Sequence, residues 1–457
     1  MRPHGHSTVR LACTVLLALS LVVVPLAVPR PAYAADAGLV LEAVSVLREY
    51  YVDRVDATVM LNGALAGVRS ALSTAGVQSE VADIPVGTPA AQSDVLFRTR
   101  FDAAVAAAGG RIAPTVLAYT ATRAMAAQLK DSHTWFLTPE ENRERVLRQQ
   151  RQAGFSGAGI VLMLREGKYY IRDVIPGSPA AAGGVQQFDR IVRVDNVPTA
   201  GLQPDQISGL IRGQTGTSVS LVLDRPGRAD PVTVSLTRAP IQVPAVFQAR
   251  VLENGIGYLQ FYQFVSRSSA EFRGALNGLL GNGMRALVLD LRGNLGGFVN
   301  ELEAIVSLFL PPGQPIYQEV ARGGQTRAVR TFGVPLLPGH QPVIILVDES
   351  SASAAELLAA ALQEHGRATV VGQKTMGAVE AAIMIDLSDG SGLSVTVRRL
   401  ASAQGRRLEG TGVAPDVAVD LPVVELDQGR DSQLQTALQL ARQRLGTTEV
   451  PAVPAGR

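Results

Sequence analysis

The 457-residue chain contains one cysteine, Cys13, and it lies inside the apolar N-terminal run. Without that run no thiol remains, which excludes disulfides, thiolate catalysis and cysteine-ligated zinc. Lysine occurs only at Lys130, Lys168 and Lys374, and beyond the first ten residues histidine occurs only at His133, His340 and His365. Any proton-transfer scheme must draw on this short set. No two of these histidines sit at ligand spacing, so neither a metal nor another cofactor is expected. The 42 basic and 40 acidic residues leave no surplus of either sign, which argues against nucleic acid and anionic membrane surfaces as partners. Past the N-terminus no apolar stretch approaches the ~18 residues of a spanning helix.

At the N-terminus, Arg2 and Arg10 precede "LACTVLLALSLVVVPLAV", and "AYA" follows at Ala32–Ala34. A basic start, an apolar run and small residues flanking a cleavage point predict a signal peptide over residues 1–34. The run is also long enough for a retained single anchor, the alternative reading. Removal takes away Arg2, Arg10 and Arg30 and no acid, leaving 39 basic against 40 acidic residues, a net charge of −1. The expected location is secreted or cell envelope, periplasmic or extracellular.

Residues 35–150 read as an N-terminal helical region, with apolar residues at helical spacing over 37–75, 95–108 and 113–130. "TPEENRERVLRQQRQ" closes it as a capped, charged helix or linker. From Phe155 the period changes towards two. "GIVLML", "YYIRDVI", "RIVRVD" and "SVSLVLD" predict short strands, with short helices at "AAAGGV" and "DQISGLIR". This unit ends near Pro240, giving a second domain over 155–240. Over 245–425 strands alternate with helices: "IGYLQF", helix 267–281, "RALVLDLRG", helix 299–309, "PVIILVD", helix 354–365, "ATVVG" and the later strand "SGLSVTVRRL". That alternation predicts an α/β fold, a β/α core on a mostly parallel sheet. Within 426–457, residues 430–445 predict an amphipathic helix and "TTEVPAVPAGR" a disordered tail.

The second domain opens with "FSGAGIVLML", a Gly-rich loop entering a strand. The amides of such a loop can hold a C-terminal carboxylate, and the strand edge can pair with an extended peptide. "VIPGSPAAAGGVQQFDRIVRVDNVP" then resembles a PDZ domain. The resemblance implies that Gly157, Ala158, Gly159 and Ile160 line the carboxylate loop and that the groove takes apolar C-terminal residues. Phe188 stands before Asp189 where the family usually has glycine, a difference expected to alter a turn rather than the groove.

In the stretch "DESSASAAELLAAAL" (348–362), Ser353 and Glu356 have capping-box spacing before an apolar helix. A cap is one reading. The other is a nucleophile: a serine between a parallel strand and a helix projects from the carboxyl edge of the sheet, where free amides and the helix dipole favour an oxyanion. Residues alone leave both open. "LVLDLRGNLGG", "VIILVDESSASAAELLAAALQEHGRATVVGQKT" and "LEGTGVAPDV", in this order after a PDZ domain, resemble the C-terminal processing peptidases and tail-specific proteases. So do "LREYYVDRVD", "LNGALAGVRSAL" and "DSHTWFLTPEE". These are serine peptidases of the clan that includes the tricorn core protease, and the resemblance covers about residues 38–420. It implies a crotonase-like β/α peptidase core with an inserted PDZ domain and an N-terminal helical region. It also implies Ser353 as nucleophile, with Ser350 and Ser351 in turn and capping roles. The oxyanion would then be held by the amide of Ala354 paired with that of Gly296 or Gly297.

Three readings stand for the proton acceptor. The family pattern T-F-G-K-G appears here as Thr375-Met376-Gly377-Ala378, so alanine stands at the lysine position. Lys374 is four residues upstream, roughly 13 Å along an extended strand, whereas a base needs contact at about 3 Å. The tricorn-like branch implies a different set: His133 as base, with Ser132 and Glu409 completing a tetrad. The third reading is a catalytically inactive homologue acting as a peptide-binding scaffold or chaperone. Expected substrates are partly unfolded proteins or peptides with exposed apolar C-termini. His340 and His365 read as a loop residue and a helix C-terminal residue.

Overall fold

In the computed structural model, residues 36–151 and 155–447 are described; the predicted signal peptide and nearly all of the predicted tail lie outside them. The periodic stretch 37–75 resolves into two helices, Ala37–Tyr50 and Ala57–Thr74. Asp36 and Asp56 start them by accepting the amides of Gly38 (2.6 Å) and Val59 (3.1 Å), which would otherwise lack partners. Helices Ala90–Ala108 and Pro114–Ala127 close the bundle over a core that includes Leu61, Leu65, Phe97 and Phe101. That same core takes in Phe136, Leu393 and Val395. The N-terminal helices are therefore built onto strands from far along the chain.

The middle region is an antiparallel sheet in which Ile160–Arg165, Lys168–Val174, Arg190–Val194, Ser218–Asp224 and Val232–Thr237 follow one another. Its core includes Tyr169, Ile171, Ile191, Leu221 and Leu223. Among the described residues, strand Ile160–Arg165 pairs on one side only, leaving an edge open to strand addition. Phe188 adopts φ +69°, which a glycine would accept more readily. Its ring is buried with Met163, Tyr170, Leu421, Val423 and Leu426, so the residue that departs from the family pattern joins the module to the segment following the last core strand.

The core sheet runs Val246–Val251, Ile256–Phe261, Ala286–Asp290, Val343–Val347, Thr369–Gly372, Val417–Ala418. All of its pairs are parallel except the first. Ala286–Asp290 and Val343–Val347 are wholly buried, as expected for strands covered on both faces. Their carboxyl ends lie on one edge. There Asp290 leads into the Gly-rich loop 293–297 and Val347 into the serine turn, the place where α/β sheets carry their sites.

A second sheet departs from the simple alternation of strands and helices. Gly392–Ser402 pairs with Ala381–Asp386, Pro315–Val320 and Trp135–Leu137, and Pro315–Val320 pairs with Thr326–Arg330. Several of these strands are half-exposed and interrupted by bulges, so they lack a clean two-residue period. No helix among the described residues is long and apolar enough to cross a membrane.

Candidate active site

Ser353 stands between strand Val343–Val347 and helix Ala354–Glu364 with φ 55° and ψ −122°, a backbone state that non-glycine residues hold only when their surroundings enforce it. Two contacts enforce it here. The Ser353 amide donates to the Ala378 carbonyl (2.9 Å) and to Glu356 Oε2 (3.0 Å). The predicted cap partner Glu356 does more than cap. Fully buried, its carboxylate also accepts from Thr375 Oγ1 (2.5 Å), the Gly377 amide (2.7 Å) and the Ala378 amide (2.9 Å). It thereby docks segment 375–378 onto the helix start. Ser351 and Ser350 hold the turn. Ser351 Oγ donates to the Leu291 carbonyl (2.9 Å) and accepts from the Asp348 amide (3.0 Å), and the Ser350 amide donates to Asp348 Oδ1 (3.0 Å).

Loop 293–297 lies against this turn. Asn294, within "LRGNLGG" but without a role suggested by the motif, organises it. Its carbonyl accepts the Ala352 amide (2.9 Å), its Nδ2 donates to the Phe261 carbonyl (2.9 Å), and its Oδ1 accepts the Gly296 amide (2.8 Å). A Cβ on Gly296 would stand 2.6 Å from Ser353 Cβ and 2.7 Å from the Ala354 nitrogen; one on Gly297 would stand 2.0 Å from the Phe264 carbonyl. The two glycines therefore differ. The Gly296 amide is occupied by Asn294, so Gly296 provides close approach rather than a free donor. The amides of Gly297 and Ala354 have no acceptor among the described residues.

His133 reaches this region through a long-range pairing, Trp135 opposite Ser394. Its backbone is fixed by Asp131 Oδ1, which accepts its amide (2.8 Å), and by Ser394 Oγ, which donates to its carbonyl (2.6 Å). Its ring Nδ1 lies 3.0 Å from Ser132 Oγ, and Ser132 Oγ donates to Glu409 Oε1 (2.7 Å). A carboxylate only accepts, so the Ser132 hydroxyl gives its hydrogen to Glu409 and accepts from Nδ1–H. Of the two neutral tautomers this pattern selects the one with its hydrogen on Nδ1 and its lone pair on Nε2. Glu409 Oε2 accepts the amides of Val379 (2.8 Å) and Glu380 (3.2 Å). The strip Ala378–Glu380 thus holds Ser353 at one end and the Glu409–Ser132–His133 chain at the other.

Lys374 is exposed and has no hydrogen bond or ion pair among the described residues. His340 is exposed, and His365 closes helix Ala354–Glu364 with Nε2 2.7 Å from the Pro315 carbonyl. No group of three potential metal ligands occurs among the described residues. One buried carboxyl carries no sequence signal: Glu380, at the end of the strip.

In the middle module Gly157, Ala158, Gly159 and Ile160 line a cavity of about 340 Å³, whose wall also includes Ile211 and Tyr262, the residue after core strand Ile256–Phe261. Gly159 has φ +80°, and a Cβ there would stand 2.1 Å from Ser178 Cβ, so only glycine fits.

Residues 255–419 match the family described as peptidase family S41, and residues 170–225 match the PDZ domain. The chain is 32% identical over 333 residues to the carboxyl-terminal-processing protease of Picosynechococcus sp., covering 71% of this chain and 79% of the relative. To that of Synechocystis sp. it is 33% identical over 330 residues, covering 70% and 76%. Among solved structures, the photosystem II D1 C-terminal processing protease superposes with a TM-score of 0.53 at 25% identity, over 90% of this chain and 97% of that one.

Proposed function

Because the chain belongs to the carboxyl-terminal-processing proteases, serine-type peptidases of family S41, we propose that it cleaves proteins captured by their C-termini, through an acyl-enzyme on Ser353. The base is His133, not a lysine. The observation that carries this reading is the Ser132 hydroxyl between Glu409 and His133 Nδ1, since it leaves Nε2 as the acceptor.

In the first half-reaction Nε2 takes the Ser353 Oγ proton as Oγ adds to the scissile carbonyl. The amides of Ala354 and Gly297 stabilise the resulting oxyanion. His133 then gives the proton to the leaving amine as the C–N bond breaks. In the second half-reaction the same nitrogen takes a proton from water as its oxygen adds to the acyl carbonyl, then returns that proton to Ser353 Oγ as the acyl C–O bond breaks and the acid product leaves. No cofactor enters. Ala378 supplies only backbone groups, where the family lysine would supply an amine.

The open edge of strand Ile160–Arg165 and the loop 157–160 support capture of an extended, apolar C-terminus. The protein acts outside the cytoplasm, after loss of residues 1–34. N-terminal sequencing of the exported protein should begin at Ala35, and a start at Met1 would overturn processing.

The test uses an unfolded reporter with an apolar C-terminus, offered with a free or an amidated carboxylate. Cleavage of the free form is expected. Amidation removes a charge-assisted hydrogen bond, about 1.5–3 kcal/mol, and should raise KM tenfold or more with kcat little changed. Equal KM for the two forms would refute carboxylate capture. Binding without any cleavage would favour the inactive scaffold.

A further inference from the structure

Glu380 is a buried acid outside the catalytic chain just described. Its side chain is 6% exposed. It precedes strand Ala381–Asp386 and donates its own amide to the Glu409 oxygen that also receives the Val379 amide. Its nearest cation is Arg399 of strand Gly392–Ser402, with Nε 3.7 Å from Glu380 Oε1. That pairing is incomplete. Arg399 Nε is buried and makes no hydrogen bond, and Arg399 Nη2 is engaged by Asp53. One guanidinium thus serves two carboxylates.

The other groups facing Glu380 are Glu409 and Arg407 from the loop after the long strand, and Asp131 from the turn before His133. Tyr51, from the end of the first helix, faces the same cluster. Acids outnumber cations around a carboxyl that is itself nearly closed to water. A carboxyl there is easier to keep neutral than charged.

We propose that Glu380 is a positioning residue for the Glu409–Ser132–His133 chain, a buried carboxyl whose gain or loss of a proton adjusts the basicity of His133. This rests on His133 being the base. Two features make the coupling direct. The amide of Glu380 donates to Glu409 Oε2 (3.2 Å), so its side chain starts beside the carboxylate that orients Ser132. Its charge, when present, adds to that of Glu409 and favours the imidazolium form of His133. Burial first, then Glu409 and Asp131, push its carboxyl up to about 7. The group therefore changes charge near neutrality.

The direction follows. Below neutrality Glu380 is neutral and His133 is the weaker base. As pH rises Glu380 ionises, and a neighbouring anion raises the affinity of His133 for a proton. The acid limb of kcat/KM then reports two coupled groups rather than one.

The experiment is the pH profile of kcat/KM from pH 5 to 9 for wild type, Glu380→Gln and Glu380→Asp. It is paired with the NMR titration of the His133 ring in the full-length protein carrying Ser353→Ala, with and without Glu380→Gln. Glu380→Gln should reduce the acid limb to a single group and lower the His133 midpoint by roughly 0.5–1 unit, as expected for loss of a nearby charge. Glu380→Asp retains an ionisable group and should keep the two-group limb. A Gln variant whose limb and His133 midpoint match wild type would overturn the proposal, as would a uniform activity loss at every pH. Should Gln fail to fold, a single-group limb in the folded Asp variant would overturn it equally. His133→Ala in the same assay separates the two levels: full activity there sinks the histidine base itself, whereas an inactive His133→Ala beside an unmoved Glu380→Gln profile sinks only the coupling.

Discussion

Ser353→Ala and His133→Ala should each lower kcat by roughly 10⁴–10⁶-fold, and the double variant should be no worse than either alone, because a nucleophile and its base act as one unit. Without the serine there is no acyl-enzyme for the histidine to assist. Without the histidine the hydroxyl, whose own acidity is slight, has no acceptor at neutral pH. Residual turnover in all three should be similar, reflecting the free amides of Ala354 and Gly297. Lys374→Ala should stay within about twofold of wild type, since that amine is exposed and lacks partners among the described residues. Steady-state kcat on the unfolded reporter, together with covalent labelling of Ser353 by an acylating probe, checks all four. Equal losses in Lys374→Ala and Ser353→Ala would restore a lysine mechanism. Additive losses in the double variant would place His133 outside the catalytic unit.

How much of this site is legible in the sequence depends on the range of each contact. Ser353 and Glu356 are three residues apart, and their capping-box spacing is visible in the string. The other donors to Glu356, Thr375, Gly377 and Ala378, lie about twenty residues further on, and nothing local marks a buried carboxylate as their common acceptor. The glycines of loop 293–297 are readable as a tight backbone. Which amide remains available is not, because it turns on a side-chain contact from Asn294. For His133 the resemblance supplies a role that residue spacing alone does not. Its approach depends on Trp135 meeting Ser394 across more than 250 residues, and a three-residue strand carries almost no period of its own. Glu380 is invisible for the same reason, since its environment is assembled from separate parts of the chain. The parallel strands Ala286–Asp290 and Val343–Val347 are the easy case: burial on both faces leaves a continuous apolar run.

The largest effect on stability is expected from Arg292→Ala. Arg292 follows strand Ala286–Asp290 and is nearly closed to water. Its guanidinium donates to Asp290 Oδ2 (2.7 Å), to both Asp431 oxygens (3.0 and 2.9 Å) and to Gln433 Oε1 (3.0 Å). Asp290 also accepts the Tyr258 hydroxyl (2.8 Å). Burial alone would raise the Asp290 carboxyl, but Arg292 beside it holds it below its ordinary 3.8. Removing the cation leaves Asp290 and Asp431 without the charge they share, and truncating one member of such a buried set typically costs about 3–5 kcal/mol. The damage should be directional. Asp431 and Gln433 belong to the start of helix Ser432–Thr447, which covers the core sheet with Leu434, Ala437 and Ala441, so hydrogen exchange should rise first along that helix and at Tyr258. Arg292 also adjoins the loop that presents Gly297, so activity should fall below the folded fraction. The pH dependence has a definite sign. Asp290 has a depressed folded pKa, so its stabilising contribution is complete above about pH 4 and disappears as pH falls through the folded value. The difference in urea midpoint between wild type and Arg292→Ala should therefore be widest near pH 8 and narrow as pH falls, first as the variant's Asp290, raised by burial once the cation is gone, takes up a proton, and further in strong acid as the wild-type carboxyl does. A variant as stable as wild type at pH 7, or a difference that shrinks as pH rises from 5 to 8, would show that the Asp290–Arg292–Asp431 set does not hold the C-terminal helix on the sheet.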